Sequence, residues 1–240
     1  MAPCRFNPAI AQTQGRASHA RPVQDFKDAA SCVAVWHLPG VDTFYEFQLI
    51  IRRIIMEFEM ISGHVFIATS VDGFIARNDG TIEWLLERDD PSENHGYDDF
   101  IEEMDAIIMG RGTFEAVRDI SPWLYPRPVL VLSATLADQP VPDGLEDKVR
   151  ICKKSPREAM AMLETEGCRR VYVDGGLTIQ SFLQQGLIED MVITRVPIVL
   201  GSGRSLFGQT ASDICLIHKE TRSFPSGLVQ SSYRVARDCT

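Results

Sequence analysis

The sequence lacks a long apolar run. No stretch approaches the roughly 18 residues needed to span a bilayer, and the longest candidate, residues 47–55, is interrupted by Arg52 and Arg53. Positive charge is also scarce, since 24 basic side chains are outnumbered by 33 acidic ones and the formal net charge is −9. Nucleic-acid binding depends largely on neutralising phosphates. We therefore expect a cytoplasmic protein with no membrane partner and no nucleic-acid partner.

Closely spaced cysteine pairs are missing as well. The six cysteines lie far apart, and no C-x-x-C occurs. Dispersed thiols in a chain of this length are typical of a reducing compartment, where cysteines remain unpaired and packed in the interior. His218-x-Glu220 is superficially similar to part of a zinc-deaminase signature, but no P-C-x-x-C accompanies it. The sequence therefore predicts unpaired cysteines and no metal.

Two common nucleotide-binding motifs are absent. No G-x-G-x-x-G follows the first predicted strand, and no G-x-x-x-x-G-K-[ST] occurs anywhere. These absences argue against an ordinary Rossmann site and a P-loop. An acidic chain without these motifs must hold any anionic ligand with a local arrangement of backbone and side-chain donors, because its overall field repels anions.

Regular patterning begins near residue 60. Residues 1–59 hold six basic and six acidic side chains, so the net charge of −9 belongs wholly to residues 60–240. We expect residues 1–59 to be an N-terminal extension, either partly disordered or translated from a misplaced start. A transit peptide is the alternative, although prolines interrupt any amphipathic helix there. Residues 60–240 are expected to form one domain.

Strand-like and helix-like segments alternate within that domain. The apolar run 106–109 predicts a buried strand, and Ser155, followed by Glu158 three residues later, predicts a capped helix start. Residues 214–224 and 228–236 alternate about a turn and predict a closing hairpin. This order predicts an α/β fold with a mostly parallel central sheet and an antiparallel C-terminal hairpin.

Glycines stand at two predicted strand-to-helix junctions. Gly175 and Gly176 precede one helix, and Gly110 with Arg111 precedes another. The start of a helix offers free N–H groups and a positive dipole end, and a guanidinium makes forked contacts with phosphate oxygens. Two such junctions at the carboxyl ends of neighbouring strands predict a crevice that binds a polyphosphate.

Four motifs of this chain occur together in a recognisable order. They are Ser70-Val71-Asp72-Gly73-Phe74-Ile75-Ala76, Met109-Gly110-Arg111-x-Thr113-Phe114-Glu115, Val173-Asp174-Gly175-Gly176 and Leu200-Gly201-x-Gly203-x-x-Leu206-Phe207. The last opens no helix, and it predicts either a flexible loop over a pocket or a plain connector. Together they resemble the dihydrofolate reductase-like superfamily, and especially the C-terminal reductase domain of riboflavin-biosynthesis deaminase-reductases and its stand-alone relatives. The resemblance covers residues 60–237 and implies a three-layer dihydrofolate reductase-like fold.

The resemblance implies an NADPH-dependent oxidoreductase that transfers hydride to a C=N or C=O bond. Its substrate would be a small pterin-like, aminopyrimidine or related molecule, as for 5-amino-6-(5-phosphoribosylamino)uracil reductase or dihydrofolate reductase. The positions that match the family's cofactor contacts are Ala68, Ile75, Gly110, Arg111, Thr113, Ser133, Gly175, Gly176 and Thr178. The first two would line the nicotinamide ring, Ser133 would lie by the adenosine 2′-phosphate, and the others would hold the phosphates.

The resemblance also implies substrate positions, which are Asp72, Trp84, Gly201 and Gly203. Dihydrofolate reductases hold the pterin with one carboxylate after the first strand. Counting from Trp84 places that carboxylate at Asp89, the candidate catalytic residue, whereas counting back from Gly110 reaches Asn94. The alternative for Asp89 is a solvated loop acid, and riboflavin-type reductases lack this carboxylate.

Two further questions remain open at the level of sequence. A phosphorylated aminouracil substrate would need basic groups, for which Arg77 and Arg204 are available. The family likeness implies a homodimer, formed through the C-terminal strands. A different class of function, a non-catalytic NADPH-binding module of the same fold, is the alternative to a reductase.

Overall fold

Ten strands and five helices follow one another along the part of the chain that the structure describes, residues 60–88, 90 and 92–239 of a computed structural model. The strands are β1 (Ser62–Ser70), β2 (Phe74–Ala76), β3 (Ala106–Gly110), β4 (Val129–Leu132), β5 (Val149–Cys152), β6 (Arg170–Asp174), β7 (Ile188–Val196), β8 (Arg204–Ser205), β9 (Leu216–Ser223) and β10 (Val229–Val235). The helices are α1 (Glu83–Leu86), α2 (Tyr97–Glu102), α3 (Arg111–Val117), α4 (Pro156–Thr165) and α5 (Gly176–Gln184). The predicted extension 1–59 lies outside the described residues.

The main sheet has eight strands in the order β5-β4-β3-β6-β1-β7-β10-β9. The first six are parallel to one another, and β10 and β9 continue the sheet in antiparallel pairing. Parallel strands need crossover connections, usually helices, that bring the chain back to the edge where the previous strand began. The alternation of strand-like and helix-like segments in the sequence had indicated such connections. The predicted α/β fold with a parallel core and an antiparallel C-terminal hairpin is confirmed.

The sheet is buried where its strands are uniformly apolar. Ile107, Ile108 and Met109 of β3 have no exposed surface, as expected for a strand covered on both faces. Along β6, Tyr172 packs with Phe114 on one face, and the neighbouring valines are buried on the other. No described helix is both long and apolar enough to cross a membrane.

The start of α4 has the predicted capping box. Ser155 Oγ accepts a hydrogen bond from the Glu158 N–H, and the Ser155 N–H donates to Glu158 Oε2 at 2.8 Å. Pro156 occupies the first helical position, where its missing N–H costs nothing. Gly167, in the left-handed region at φ 96°, follows the end of the helix as predicted.

The terminal hairpin corrects the prediction that the cysteines are unpaired. Cys215, just before β9, forms a disulfide with Cys239, although 24 positions separate them. The hairpin returns the chain beside its own start, so sequence spacing could not reveal this approach. Cys152 and Cys168 are free thiols. Strand β9 is an exposed edge strand along its whole length, and a homodimer formed through these strands remains a prediction.

A polar network lies where β1 and β7 begin. The buried His64 ring is 2.9 Å from Ser62 Oγ through Nε2 and 2.9 Å from Asp190 Oδ1 through Nδ1. Nearby, Asp105 Oδ2 accepts hydrogen bonds from the backbone N–H groups of Arg169, at 2.7 Å, and Arg170, at 2.9 Å. We call this edge of the sheet the amino end.

Candidate active site

The two predicted phosphate-binding junctions lie side by side at the opposite edge of the sheet. Strands β3 and β6 are adjacent and parallel, with Met109 paired with Asp174, and each leads directly into a helix. Gly110 therefore ends beside Gly175. We call this edge of the sheet the crevice end, and it joins the two glycine motifs that the sequence had placed 65 positions apart.

Each junction glycine packs against a threonine of the other junction. A Cβ on Gly110 would lie 2.8 Å from Thr178 Oγ1, and a Cβ on Gly175 would collide with the Thr113 hydroxyl. Gly175 also has a φ of 90°, a conformation that L side chains rarely adopt. Four predicted cofactor residues thus form one reciprocal glycine–threonine contact, which keeps the backbone of both junctions bare.

A short ribbon, made of β2 and β8, lies against this contact. A Cβ on Gly176 would lie 2.9 Å from the Ser205 carbonyl oxygen and 3.0 Å from Ile75 Cδ1. Ile75, predicted to line the nicotinamide, is therefore at the first turn of α5. The predicted flexible loop over a pocket is corrected in part, because residues 204–205 form a strand paired with β2.

The donors at the crevice end fit an anionic cofactor. No side chain caps the N-terminus of α5, and Gly175 and Gly176 leave its first N–H groups open to a ligand. Arg111 is exposed, and no hydrogen bond or ion pair among the described residues engages its guanidinium. A bare helix start beside a free guanidinium suits a pyrophosphate, and these residues therefore fit the phosphates of NADPH.

Ser133 lies at the same edge, one strand further out. It follows β4, whose Leu132 pairs with Gly110 of β3. The Ser133 hydroxyl accepts a hydrogen bond from the Leu136 N–H at 3.1 Å and lies 3.2 Å from Thr135 Oγ1. Its predicted contact with an adenosine 2′-phosphate stays a prediction, which this location at the crevice end allows.

An acid that sequence reasoning left without a role lies at the centre of the crevice end. Asp174 ends β6 immediately before Gly175, and its Oδ2 accepts a hydrogen bond from the Tyr125 hydroxyl at 3.1 Å. Burial raises the pKa of Asp174, while hydrogen bonds from Tyr125 and the Gly175 N–H act in the opposite direction. A carboxyl with a raised pKa stays protonated to a higher pH than an ordinary carboxyl, which suits a group that donates a proton.

Tyrosines surround this acid. Burial, followed by the nearby Asp174 charge, raises the pKa of Tyr97 to about 12, so its phenol stays protonated. Tyr172 is buried and donates its hydroxyl to the Phe66 carbonyl at 3.0 Å. The sequence pointed to this acid only through the motif Val173-Asp174-Gly175-Gly176, which contains Asp174. Its partner Tyr125 lies 49 positions away.

Trp84 forms part of an apolar wall near the end of β1. It is 2% exposed and packs with Val196 and Leu228, and Ala68 lies against the same cluster. The Trp84 Nε1–H is buried without a hydrogen-bond partner among the described residues. A buried donor left unpaired is costly, and its presence beside the predicted nicotinamide residue Ala68 is consistent with a ligand acceptor.

The predicted substrate residues Asp72, Gly201 and Gly203 organise the loop before β8. Asp72 Oδ1 accepts from the Leu200 N–H at 3.1 Å, and Oδ2 accepts from the Gly201 N–H at 2.8 Å. A hydrogen bond from Ser70, and then these backbone bonds, lower the pKa of Asp72. A Cβ on Gly203 would collide with the Ala76 carbonyl. All three residues therefore fix the loop against β2.

The remaining candidate, Asp89, lies outside the described residues. Asn94, the position reached by the other count, accepts the Gly96 N–H at 2.8 Å within its own turn. Beside it, Glu93 accepts the Ser226 N–H at 2.8 Å and its hydroxyl at 2.6 Å, which joins this loop to the hairpin turn. Among the described residues, no group of three or more acids, histidines or cysteines could hold a metal ion.

Comparison with known proteins agrees with this geometry. The family model of the RibD C-terminal domain matches residues 63–230. The protein YwjB of Bacillus subtilis is 33% identical over 165 residues, which cover 67% of this chain and 90% of that protein. The range matched by the family model includes all four sequence motifs.

Solved structures show the same fold. A crystal structure of a candidate riboflavin biosynthesis protein from Shewanella sp. PV-4 is 39% identical, with a TM-score of 0.69, and covers 74% of this chain and 100% of its own. Dihydrofolate reductase from Enterococcus faecalis, complexed with NADP(H), matches with a TM-score of 0.51 at 16% identity, covering 75% of this chain and 98% of its own. At that identity the likeness to dihydrofolate reductase concerns the fold alone.

Proposed function

Because the chain belongs to the RibD C-terminal domain family, we propose that it is an NADPH-dependent reductase of a small pterin-like or aminopyrimidine substrate. The observation that supports this most is the reciprocal contact of Gly110 with Thr178 and of Gly175 with Thr113. That contact leaves two helix starts bare at one edge of the sheet, where a dinucleotide pyrophosphate is bound most readily.

Different residues of the crevice end would bind different parts of the cofactor. Arg111 and the Gly176 N–H would hold the pyrophosphate, which the bare Gly175 lets approach closely, and Ser133 would discriminate NADPH from NADH at the 2′-phosphate. Ala68 and Ile75 pack against the nicotinamide and keep water from it. When bound, NADPH supplies a hydride for the reduction.

Asp174 supplies the proton that the reduction of a C=N or C=O bond also needs. Its carboxyl is partly buried, and burial raises its pKa, so a protonated fraction persists above the usual range of a carboxyl. The Tyr125 hydroxyl donates to Oδ2 and so orients the carboxyl. After transfer to the substrate, the proton is replaced from solvent. General acid catalysis of this kind typically contributes about 10²–10⁴-fold in rate.

A 5-amino-6-(5-phosphoribosylamino)uracil reductase-like activity is the most specific form of this proposal. The Tyr125 O–H already donates to Asp174, so its oxygen can accept from an amino group of a pyrimidine. The Nε1–H of the adjacent Trp123, which has no partner among the described residues, can donate to a carbonyl. Turnover separates an enzyme from a non-catalytic module, because a module would bind NADPH without oxidising it.

The test is a titration of the full chain with NADPH and NADH, followed by tryptophan fluorescence. Arg111→Ala should weaken NADPH binding by about ten- to a hundred-fold, which corresponds to about 1.5–3 kcal/mol for a charge-assisted phosphate contact. Arg118→Ala is the matched control, because Arg118 lies at the other end of α3 and forms an ion pair with exposed Asp119; it should leave the affinity unchanged.

Turnover is then measured with NADPH and a panel containing dihydrofolate and the phosphorylated aminouracil. Oxidation of NADPH with either substrate supports a reductase and identifies the substrate class. Binding without any oxidation across the panel would favour the non-catalytic module. A folded chain that binds neither nucleotide would refute the proposal.

A further inference from the structure

Packing contacts, rather than an ion pair with a described residue, hold the Arg204 side chain at the crevice end. It begins β8, where it pairs with Ala76 of β2. Its guanidinium lies against two glycines: Nη2 is 2.9 Å from where a Cβ on Gly80 would be, and Nη1 is 3.6 Å from the corresponding position on Gly112. Gly80 has a φ of 97°. A side chain there would displace the guanidinium.

The donors of this guanidinium are not used within the protein. Among the described residues, no carboxylate or carbonyl accepts a hydrogen bond from Arg204, although acidic side chains exceed basic ones by 33 to 24 in the whole chain. The adjacent acid, Asp79, is engaged in its own turn, where Oδ1 accepts from the Thr81 N–H at 3.0 Å and its hydroxyl at 2.8 Å. Arg204 therefore presents a full set of donors to the crevice.

The neighbours of Arg204 indicate which anion it meets. Gly112 lies between Arg111 and Thr113, and the carbonyl of the next ribbon residue, Ser205, lies against Gly176 at the start of α5. The ribbon therefore places Arg204 across the crevice from both glycine junctions. A planar guanidinium can donate two parallel hydrogen bonds to adjacent phosphate oxygens.

We propose that Arg204 donates hydrogen bonds to the pyrophosphate of the bound dinucleotide and closes the third side of its site. This inference rests on the proposed function, since it assigns a residue to the same cofactor. It places the ribbon as well as the helix starts in cofactor binding. A substrate phosphate, for which the sequence made Arg204 equally available, is the other source of the same chemistry.

The experiment titrates the full chain with three probes: NADPH, inorganic pyrophosphate, and adenosine 2′-monophosphate, which lacks both phosphates of the pyrophosphate. Arg204→Ala should weaken the binding of NADPH and pyrophosphate by more than about tenfold, while the affinity for adenosine 2′-monophosphate changes by less than about twofold. Arg204→Lys should recover part of the loss, because it restores charge without the fork. Arg77→Ala is the control, because it removes the same charge from the residue that directly follows β2. It should change NADPH affinity by less than about twofold.

A second variant tests the placement of the guanidinium rather than its charge. Gly80→Ala keeps Arg204 but displaces it, and it should reproduce the selective loss of NADPH and pyrophosphate binding. Unchanged affinity for both probes in Arg204→Ala would overturn the inference. So would an unchanged NADPH affinity with a raised KM for a phosphorylated substrate, which would assign Arg204 to the substrate. A wild-type chain that binds pyrophosphate through Arg204 but binds no dinucleotide would refute the proposed function and retain the pyrophosphate contact.

Discussion

The two ends of the parallel sheet differ in how their polar side chains are paired. At the amino end, both nitrogens of His64 have partners and Asp105 accepts two backbone hydrogen bonds. At the crevice end, Arg111 and Arg204 have no acceptor among the described residues, and the buried Nε1–H of Trp84 has no partner. Burying a polar group is costly unless it is hydrogen-bonded. At the amino end the buried Nε–H of Arg170 also lacks a partner among the described residues, but its Nη2 is 3.2 Å from Glu103. Two guanidiniums without a carboxylate partner in the described part of the chain therefore distinguish the crevice end as the place where an anionic ligand would bind.

The difference also shows that a familiar geometry is not sufficient for a site. Ser62, His64 and Asp190 are aligned like the triad of a serine hydrolase, with both side-chain contacts at 2.9 Å. However, the backbone N–H groups of Ser62 and Gly63 already donate to carbonyls of Arg169 and Leu187, at 2.8 and 2.9 Å. Neither group is free to stabilise an oxyanion. Complete pairing identifies this network as structural.

The largest effect is expected from the acid at the crevice end. Asp174→Asn should lower kcat by about 10²-fold or more, because it removes the proposed proton donor. Burial raises the pKa of Asp174, so the folded state binds more protons than the unfolded state and stability falls as pH rises above the ordinary value of 3.8. The variant should therefore be at least as stable as the wild type at pH 7. Steady-state kinetics and thermal unfolding measure the two effects.

Asp105→Asn, at the amino end, is the control for that variant. It alters an acid that accepts two backbone hydrogen bonds and should leave kcat unchanged. Equal kinetic losses in the two variants would mean that the ends of the sheet do not differ in function.

The next largest effect concerns the contact between the two junctions. Gly175→Ala introduces a Cβ that collides with the Thr113 hydroxyl in a backbone conformation that strains alanine, and it should cost about 1–3 kcal/mol of folding free energy. Thr113→Ala relieves the collision but not the backbone strain. In the double variant, part of the lost stability should return, as a double-mutant cycle in denaturant would measure. Strict additivity would show that the two residues do not touch.

At the amino end, Ser62→Ala should affect stability alone. It leaves Nε2 of the buried His64 without a partner, at an expected cost of about 1–3 kcal/mol in the free energy of unfolding. NADPH affinity and kcat should be unchanged, because the network is remote from the crevice end. Denaturant unfolding and a cofactor titration test this pair of outcomes, and a loss of affinity would contradict the separation of the two ends.

The smallest effect is expected at Asp72, a crevice-end acid that is fully paired. Hydrogen bonds, first from Ser70, lower its pKa, so its contribution to stability is present above 3.8 and is lost as pH falls through the lowered value. Asp72→Asn should be slightly less stable than the wild type near neutral pH, and the two should converge in acid. Thermal unfolding across pH tests this. A raised substrate KM at unchanged stability would instead support a substrate contact.

The sequence was most informative where structure depends on neighbouring residues. The apolar run of β3, the capping box of α4 and the glycines of both junctions follow from local patterns, and the structure contains each of them. The residues that sequence reasoning missed depend on distant segments. Tyr125 reaches Asp174 across 49 positions, and a disulfide closes the hairpin across 24. No periodicity in the chain encodes either approach.

Strand β1 joins the two ends, and this gives the amino-end network a consequence for alignment. Of its nine residues, His64 lies near the start and Ala68 lies toward the crevice end. Both are paired with residues of β7, and the register of this pairing shifts once, between Gly63 and His64. A slip of one residue would turn every side chain of a strand to the opposite face. His64 meets Asp190 only in the observed alignment. The network therefore favours the register of β1 in which Ala68 lies toward the crevice end.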